Sequence, residues 1–207
     1  MATFFQEVID GFRLMTWQEA TGVIFGIISV FCSRANSIWV YPTGLISTGI
    51  YTFLFAQPAV GLYAEAGLNA YYFIMSVYGW YNWTRQRNGT SVVEISWMNR
   101  RDWQIAIGIV AVGWLFIWFV LKTYTDSTVP VLDALVSATA WSGMWLLAKR
   151  KIENWLMLNV SNFIAVPLLL YKGLAPTAVL TVILFIVAVN GYFHWRRIYR
   201  EQLNEPV

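Results

Sequence analysis

The residues best suited to chemistry lie in two stretches that are otherwise fit only for lipid. In Glu153 to Asn162, the sequence Glu-Asn-Trp-Leu-Met-Leu-Asn-Val-Ser-Asn sets Trp155, Asn159 and Asn162 at i, i+4 and i+7, one stripe of a helix. Glu65, Asn69, Tyr72 and Ser76 repeat the pattern at i, i+4, i+7 and i+11. An amide or carboxyl with no partner is costly in hydrocarbon, so two such stripes point to a polar solute held between helices. Asn190, Ser47 with its neighbours Thr43 and Thr48, and the pair Trp141 and Trp145 four residues apart complete the candidate set. The chemistry available is recognition: amides orient the solute, and indole or phenol rings stack on it. Ser, Thr and Asn in membrane helices also hydrogen-bond between helices, with small residues such as Gly44 and Gly49 allowing close approach, and both readings stand here. Glu65 is the one carboxylate clearly inside a span away from the cytoplasmic end, a turn from the outer boundary, where it can attract a cation, donate as the protonated acid, or face outer water.

Other chemistries find no residues. The chain has no Walker-type glycine loop for ATP, no Ser-His-Asp set and no paired catalytic acids. Its single cysteine, Cys32, and single histidine, His194, make neither a disulfide nor a metal site. The last helix holds no lysine for a retinal Schiff base. An enzyme is therefore not expected, nor a cofactor.

Composition dictates the elements that must position these groups. Across 207 residues, 58% are hydrophobic, 12% are charged and the mean hydropathy is +0.53, as in an integral membrane protein. Seven stretches are long enough to cross roughly 30 Å of hydrocarbon as helix: 16–32, 38–55, 61–83, 103–121, 131–148, 152–170 and 176–195. Residues 3–14 read as a short amphipathic segment on the surface. Eleven cations, from Arg34 through Arg85, Arg101, Lys149 and Lys151 to Arg200, fall on one side, whereas only Arg13, Lys122 and Lys172 fall on the other. Cytoplasmic loops hold the positive charge, so the N-terminus is expected outside and the C-terminus inside. The asymmetry accounts for the net charge of +3 and leaves no case for nucleic-acid binding. Trp39, Trp80, Trp83, Trp103, Trp155 and Trp195 fall at the cytoplasmic helix ends, where an interfacial aromatic belt is expected.

The chain also repeats itself. Gly79-Trp-Tyr-Asn-Trp83 and Gly191-Tyr-Phe-His-Trp195 share a Gly-aromatic-aromatic-x-Trp pattern 112 residues apart (79 to 191). Two three-helix units joined by a fourth helix reproduce that spacing, and an odd linker makes them parallel repeats about an axis along the membrane normal. The expected organisation is an amphipathic segment (1–15), a first repeat (16–83), a loop and linker helix (84–130), a second repeat (131–195) and a cytoplasmic tail (196–207).

Glu153-Asn-Trp-Leu156 followed by Asn162, Tyr171-Lys-Gly173, Tyr78-Gly-Trp-Tyr-x-Trp83 and Val189-Asn-Gly191 together resemble the PnuC family of bacterial vitamin transporters. The resemblance covers nearly the whole chain. It implies a three-plus-one-plus-three helix architecture related to SWEET sugar transporters, in a homotrimer in the bacterial cytoplasmic membrane. It also implies facilitated diffusion of a vitamin or vitamin precursor, trapped inside by a cytoplasmic kinase. Riboside-transporting members resemble one another in a Trp, a second aromatic three residues later and an Asn or Asp beyond; here Trp155 and Asn162 match, but the middle position is Leu158. Members of that type also tend to have Gln where this chain has Asn69, and Glu65 adds a carboxylate. On these departures the reading leans to thiamine, carried by the related PnuT branch, with nicotinamide riboside as the alternative. A non-transporting membrane scaffold is the alternative from another class.

Overall fold

The computed structural model describes residues 6, 9–11, 13–58, 63–87 and 90–204. Among them are seven long helices: α1 (Trp17–Arg34), α2 (Val40–Ala56), α3 (Tyr63–Thr84), α4 (Arg100–Tyr124), α5 (Pro130–Ala148), α6 (Asn154–Tyr171) and α7 (Ala175–Asn204). Their starts are set by local chemistry. Thr16 and Glu19 close a capping box on α1, Asn99 and Asp102 close another on α4, and Pro130 opens α5 at a position whose N–H is unpaired in any helix. Helix α6 continues through Pro167 and ends before Gly173, whose φ of +72° suits a residue without a Cβ. Helix α7 runs on to Asn204 and does not end at Trp195, so most of the expected tail is helical. Half of the amphipathic segment expected at 3–14 lies outside the described residues; of the other half, Gly11 rests against Pro176 at the start of α7.

Among the described residues, four helices, α4 to α7, are long and apolar enough to cross a membrane. Polar and charged residues such as Gln18, Glu19, Glu65 and Asn69 reduce the apolar character of α1 and α3, and α2 has 17 residues. In α4, exposed apolar residues including Val112, Leu115, Phe116 and Phe119 mark a face suited to lipid.

Consecutive helices pack as α1 on α2 on α3 and as α5 on α6 on α7. Contacts of α3 with α5 and of α1 with α7 close these two triplets into a ring, and α4 packs along α5.

The basic ends of the triplets have the same local structure. Asn36 and Arg150, 114 residues apart, both adopt φ of +52° in the turns α1–α2 and α5–α6. In the first turn, Asn36 N–H donates to Ser33 C=O at 3.0 Å and Ser37 N–H to Cys32 C=O at 2.9 Å. In the second, Arg150 donates to Leu147 at 2.9 Å and Lys151 to Leu146 at 3.0 Å. Farther along the helices, Ser47 Oγ donates to Gly22 C=O and Ser161 Oγ to Val136 C=O, each at 2.8 Å and each at the same spacing. A left-handed backbone is tolerated by Asn but strained for Arg, so the second turn needs outside support.

That support is the α3–α4 connection. After a two-residue antiparallel pairing, β1 (Gln86–Arg87) with β2 (Thr90–Ser91), the chain lays Ser96 beside Lys151 as a bridge, with bonds of 3.1 and 3.0 Å to Arg150 C=O and from Ile152 N–H. The buried carboxylate of Glu153 accepts from Met98 N–H at 2.9 and 3.1 Å, and Asp102 pairs with Lys149 at 3.3 Å and Lys151 at 3.2 Å. The arginine backbone is thus over-determined by its surroundings.

Candidate functional site

On α3, the exposed residues Phe73, Ile74, Val77, Tyr78 and Tyr81 mark one side, and 100° per residue puts Glu65, Tyr72, Ser76, Gly79 and Trp83 on the other. On α6, the exposed residues Leu156, Val160, Phe163 and Leu170 place Asn162 well away from the outer stripe and Asn159 at its flank. These inner faces belong to different triplets, so Glu65, Tyr72 and Ser76 come from one half of the ring and Asn162 from the other.

The polar groups there are partly uncommitted. Asn162 is half-buried and its amide has no partner among the described residues. Asn159 buries its Oδ1 without a hydrogen bond, which leaves an acceptor to be satisfied. Asn69 donates to Glu65 C=O at 2.9 Å, and the half-buried Glu65 carboxylate makes no bond to a described residue. Ser76 Oγ donates to Tyr72 C=O at 2.8 Å and lies close to Gly44 of α2, where a Cβ would come within 3.3 Å of it. The missing side chain at Gly44 thus lets Ser76 and Ser29 approach the α2 backbone. On the inner faces of two different triplets these side chains offer acceptors, donors, one phenol and one carboxylate. They suit a cationic or polar aromatic solute and hold no grouping of His, Cys, Asp and Glu able to bind a metal among the described residues.

The remaining predicted residues lie elsewhere. Ser47 is buried and committed to Gly22 C=O of α1, so it joins helices. Asn190 is exposed beside Ile183, Ile186 and Phe193 on the outer stripe of α7, and its amide returns to Ile186 C=O at 3.0 Å. Trp141 stacks on Tyr71 at 4.5 Å and 24°, packs near Gly113 of α4, and with Trp145 lines an open apolar groove of about 590 Å³ between α3 and α4. The structure does not bring it to the face of Asn162.

Trp155 is buried to 1% exposure, its ring so close to α7 that a Cβ on Gly191 would sit 2.7 Å from it. It meets Trp195 edge-on at 5.6 Å and 90°. Trp83, Trp155 and Trp195 are thus packed inside the protein and not in an interfacial belt, whereas Trp39, Trp80 and Trp103 remain exposed as a belt requires. For Trp155 the glycine partner Gly191 leaves room for the ring, whereas Trp83 and Trp195 are buried by indole bonds to Leu147 C=O and Ser33 C=O of the opposite triplet.

The profile of the family described as "Nicotinamide mononucleotide transporter" matches residues 16–197, the length from α1 into the basic end of α7. The chain belongs to this family. Among its relatives in the nicotinamide mononucleotide transporter family and beyond, it is 24% identical over 214 residues to the nicotinamide riboside transporter PnuC of Escherichia coli K12, covering 91% of this chain and 88% of that protein. It is 27% identical over 187 residues to the riboflavin/roseoflavin transporter RibM of Streptomyces davaonensis, covering 86% of this chain and 84% of that one. In structure it is similar to the crystal structure of the vitamin B3 transporter PnuC, with a TM-score of 0.70, 22% identity, and coverage of 97% of this chain and 90% of that one. The resemblance of its motifs to PnuC is borne out. As a member of the nicotinamide mononucleotide transporter family the protein is a multi-pass vitamin transporter, not an enzyme, and the scaffold reading is set aside.

Proposed function

We propose that the protein carries nicotinamide riboside across the bacterial inner membrane as a passive uniporter. The observation that carries this reading is the uncommitted amide of Asn162 on the inner face of one triplet, with Glu65, Tyr72 and Ser76 on the inner face of the other, in a chain related to riboside transporters. The thiamine reading drew on Leu158, Asn69 and the Glu65 carboxylate; nicotinamide riboside also carries a positive aromatic ring, so the carboxylate suits both. The relatives then favour the riboside.

In this reading the pyridinium lies near Glu65 and stacks on Tyr72, a contact worth about 0.5–2 kcal/mol. Asn162 and Asn159 bond the carboxamide or ribose. Trp155, in the site expected from sequence, lies two turns before Asn162 on the same stripe of α6 and packs on Gly191 of α7. Ser47, Trp141 and Asn190 hold helices or face outward and take no part in binding.

The seven helices act as parallel repeats, α1–α3 and α5–α7, with α4 as the linker. The matching turns at Asn36 and Arg150 and the matching bonds of Ser47 and Ser161 support a pseudo-twofold relation. Solute that bridges the repeats couples its binding to rocking of one against the other, which exposes the site alternately to each side. The basic end faces the cytoplasm, the N-terminus lies outside, the assembly is a homotrimer, and a cytoplasmic kinase traps the solute so that no ion gradient is needed. Thiamine remains the second reading, on the strength of Leu158, Asn69 and Glu65, where the chain departs from riboside-transporting members. Calorimetry of the purified protein with nicotinamide riboside, thiamine and riboflavin separates these readings: tightest binding of the riboside is expected, and preference for thiamine overturns the assignment.

A further inference from the structure

We infer that Trp83 and Trp195 are the paired latch that closes the transport pathway at its basic end. The inference rests on the reading that the pathway runs between the two repeats. Trp83 Nε1 of the first repeat donates to Leu147 C=O of the second at 3.2 Å, and Trp195 Nε1 of the second donates to Ser33 C=O of the first at 3.1 Å. The acceptors are themselves equivalent positions of the two matching turns, so the bonds are one interaction made twice. Between the donors the rings meet at 6.0 Å, and each is flanked edge-on by the second residue of the middle helix of its own repeat. Tyr41 meets Trp83 at 5.1 Å and 89°, and Trp155 meets Trp195 at 5.6 Å and 90°. All four rings are 5% exposed or less, so no solute passes between them in this arrangement.

The placement of the cross-repeat bonds makes this plug a latch as well as a packing core. Among the described residues, side-chain bonds between the repeats run from Tyr71, whose hydroxyl donates to Trp141 C=O at 3.0 Å, toward the basic end. There they comprise the two indoles and Asn82, which donates to Ala148 C=O at 3.4 Å, with Arg150 lying over Trp83 at 4.1 Å. The plug also carries an internal cost that opening removes. Tyr41 OH and Trp155 Nε1, at equivalent positions, are buried without partners, and both regain water when the repeats part at this end. These two unpaired polar atoms partly offset the indole bonds, the Asn82 bond and the ring packing, and so lower the cost of opening at this end.

The test is side-specific accessibility, with no substrate present. In a C32S background, S76C places a thiol two helical turns behind Trp83 on the same face, about 10 Å along the axis. A membrane-impermeant maleimide is applied from each side in right-side-out and inverted vesicles. W83F and W195F remove one indole N–H each while keeping a ring. Each is expected to raise labelling from the basic side about threefold and the pair about eightfold, with labelling from the opposite side unchanged or lower. Labelling that stays at the parental level, or rises equally from both sides, overturns the latch and leaves only a packing role. Each single variant suffices should the double variant fail to insert. The readout needs no riboside, so a parental protein that transports some other solute leaves the latch standing, and an unmoved label leaves the substrate assignment standing.

Discussion

Trp83 and Trp195 donate their indole N–H groups reciprocally across the molecule, each to a main-chain carbonyl of the other helix triplet, at 3.2 and 3.1 Å. This relation ties together the repeated Gly-aromatic-aromatic-x-Trp motif, the two left-handed turns and the buried ring cluster. The first member of each motif, Gly79 or Gly191, admits the ring of Tyr41 or Trp155, and the last member, Trp83 or Trp195, makes the bond.

Gly191→Ala tests that close approach. The added methyl meets the Trp155 ring at 2.7 Å, and Trp155 is enclosed by Trp195, so the helices must separate. A loss of about 1–3 kcal/mol in stability is expected from such overpacking, read as a fall in the melting temperature of the detergent-purified protein. An unchanged melting temperature would show that the α6–α7 contact gives way freely.

Asn162→Leu removes the uncommitted amide on the inner face of α6 while preserving bulk. Nicotinamide riboside affinity should fall about 5- to 30-fold, the equivalent of one hydrogen bond of about 1–2 kcal/mol, with the melting temperature held. Failure to insert would instead assign Asn162 to helix packing.

Glu65→Gln separates charge from shape. Affinity for the cationic riboside should drop about tenfold, whereas binding of neutral nicotinamide should change less than twofold. Equal losses for both ligands in calorimetry would mean that Glu65 acts through structure and not through its charge.

Asn190→Ala is expected to be silent. The residue lies on the outer stripe of α7 with its amide turned back to Ile186, so riboside uptake should remain within twofold of the parent. A tenfold loss in uptake by this variant would place Asn190 in the pathway after all.

The seven helices were legible as long apolar runs, but their ends were not all so: the cap at Asn99 starts α4 at Arg100, ahead of the run at 103–121, and α7 continues past Trp195 to Asn204. The shared motif of Gly79–Trp83 and Gly191–Trp195 was legible, and in the structure the Trp of each copy donates to a main-chain carbonyl of the other triplet. Which tryptophans are buried was not legible, because a belt indole and a packed indole have the same type and the same place near a helix end. Only the neighbouring helix decides, as Trp39 at 63% exposure and Trp195 at 0% show. Asn190 illustrates the role of helix phase: Gly191 and Trp195 fix the inward face of α7, and one residue of offset turns the amide through 100° toward the outside. Ser47 found its acceptor 25 residues away in α1, a partner that no local pattern encodes.

Uptake of labelled nicotinamide riboside into proteoliposomes, with no ion gradient, tests the central claim most directly. The solute should enter until its internal and external concentrations are equal, and should accumulate further only when a riboside kinase and ATP are enclosed. Absence of riboside entry, or entry that requires a proton or sodium gradient, would contradict passive riboside transport.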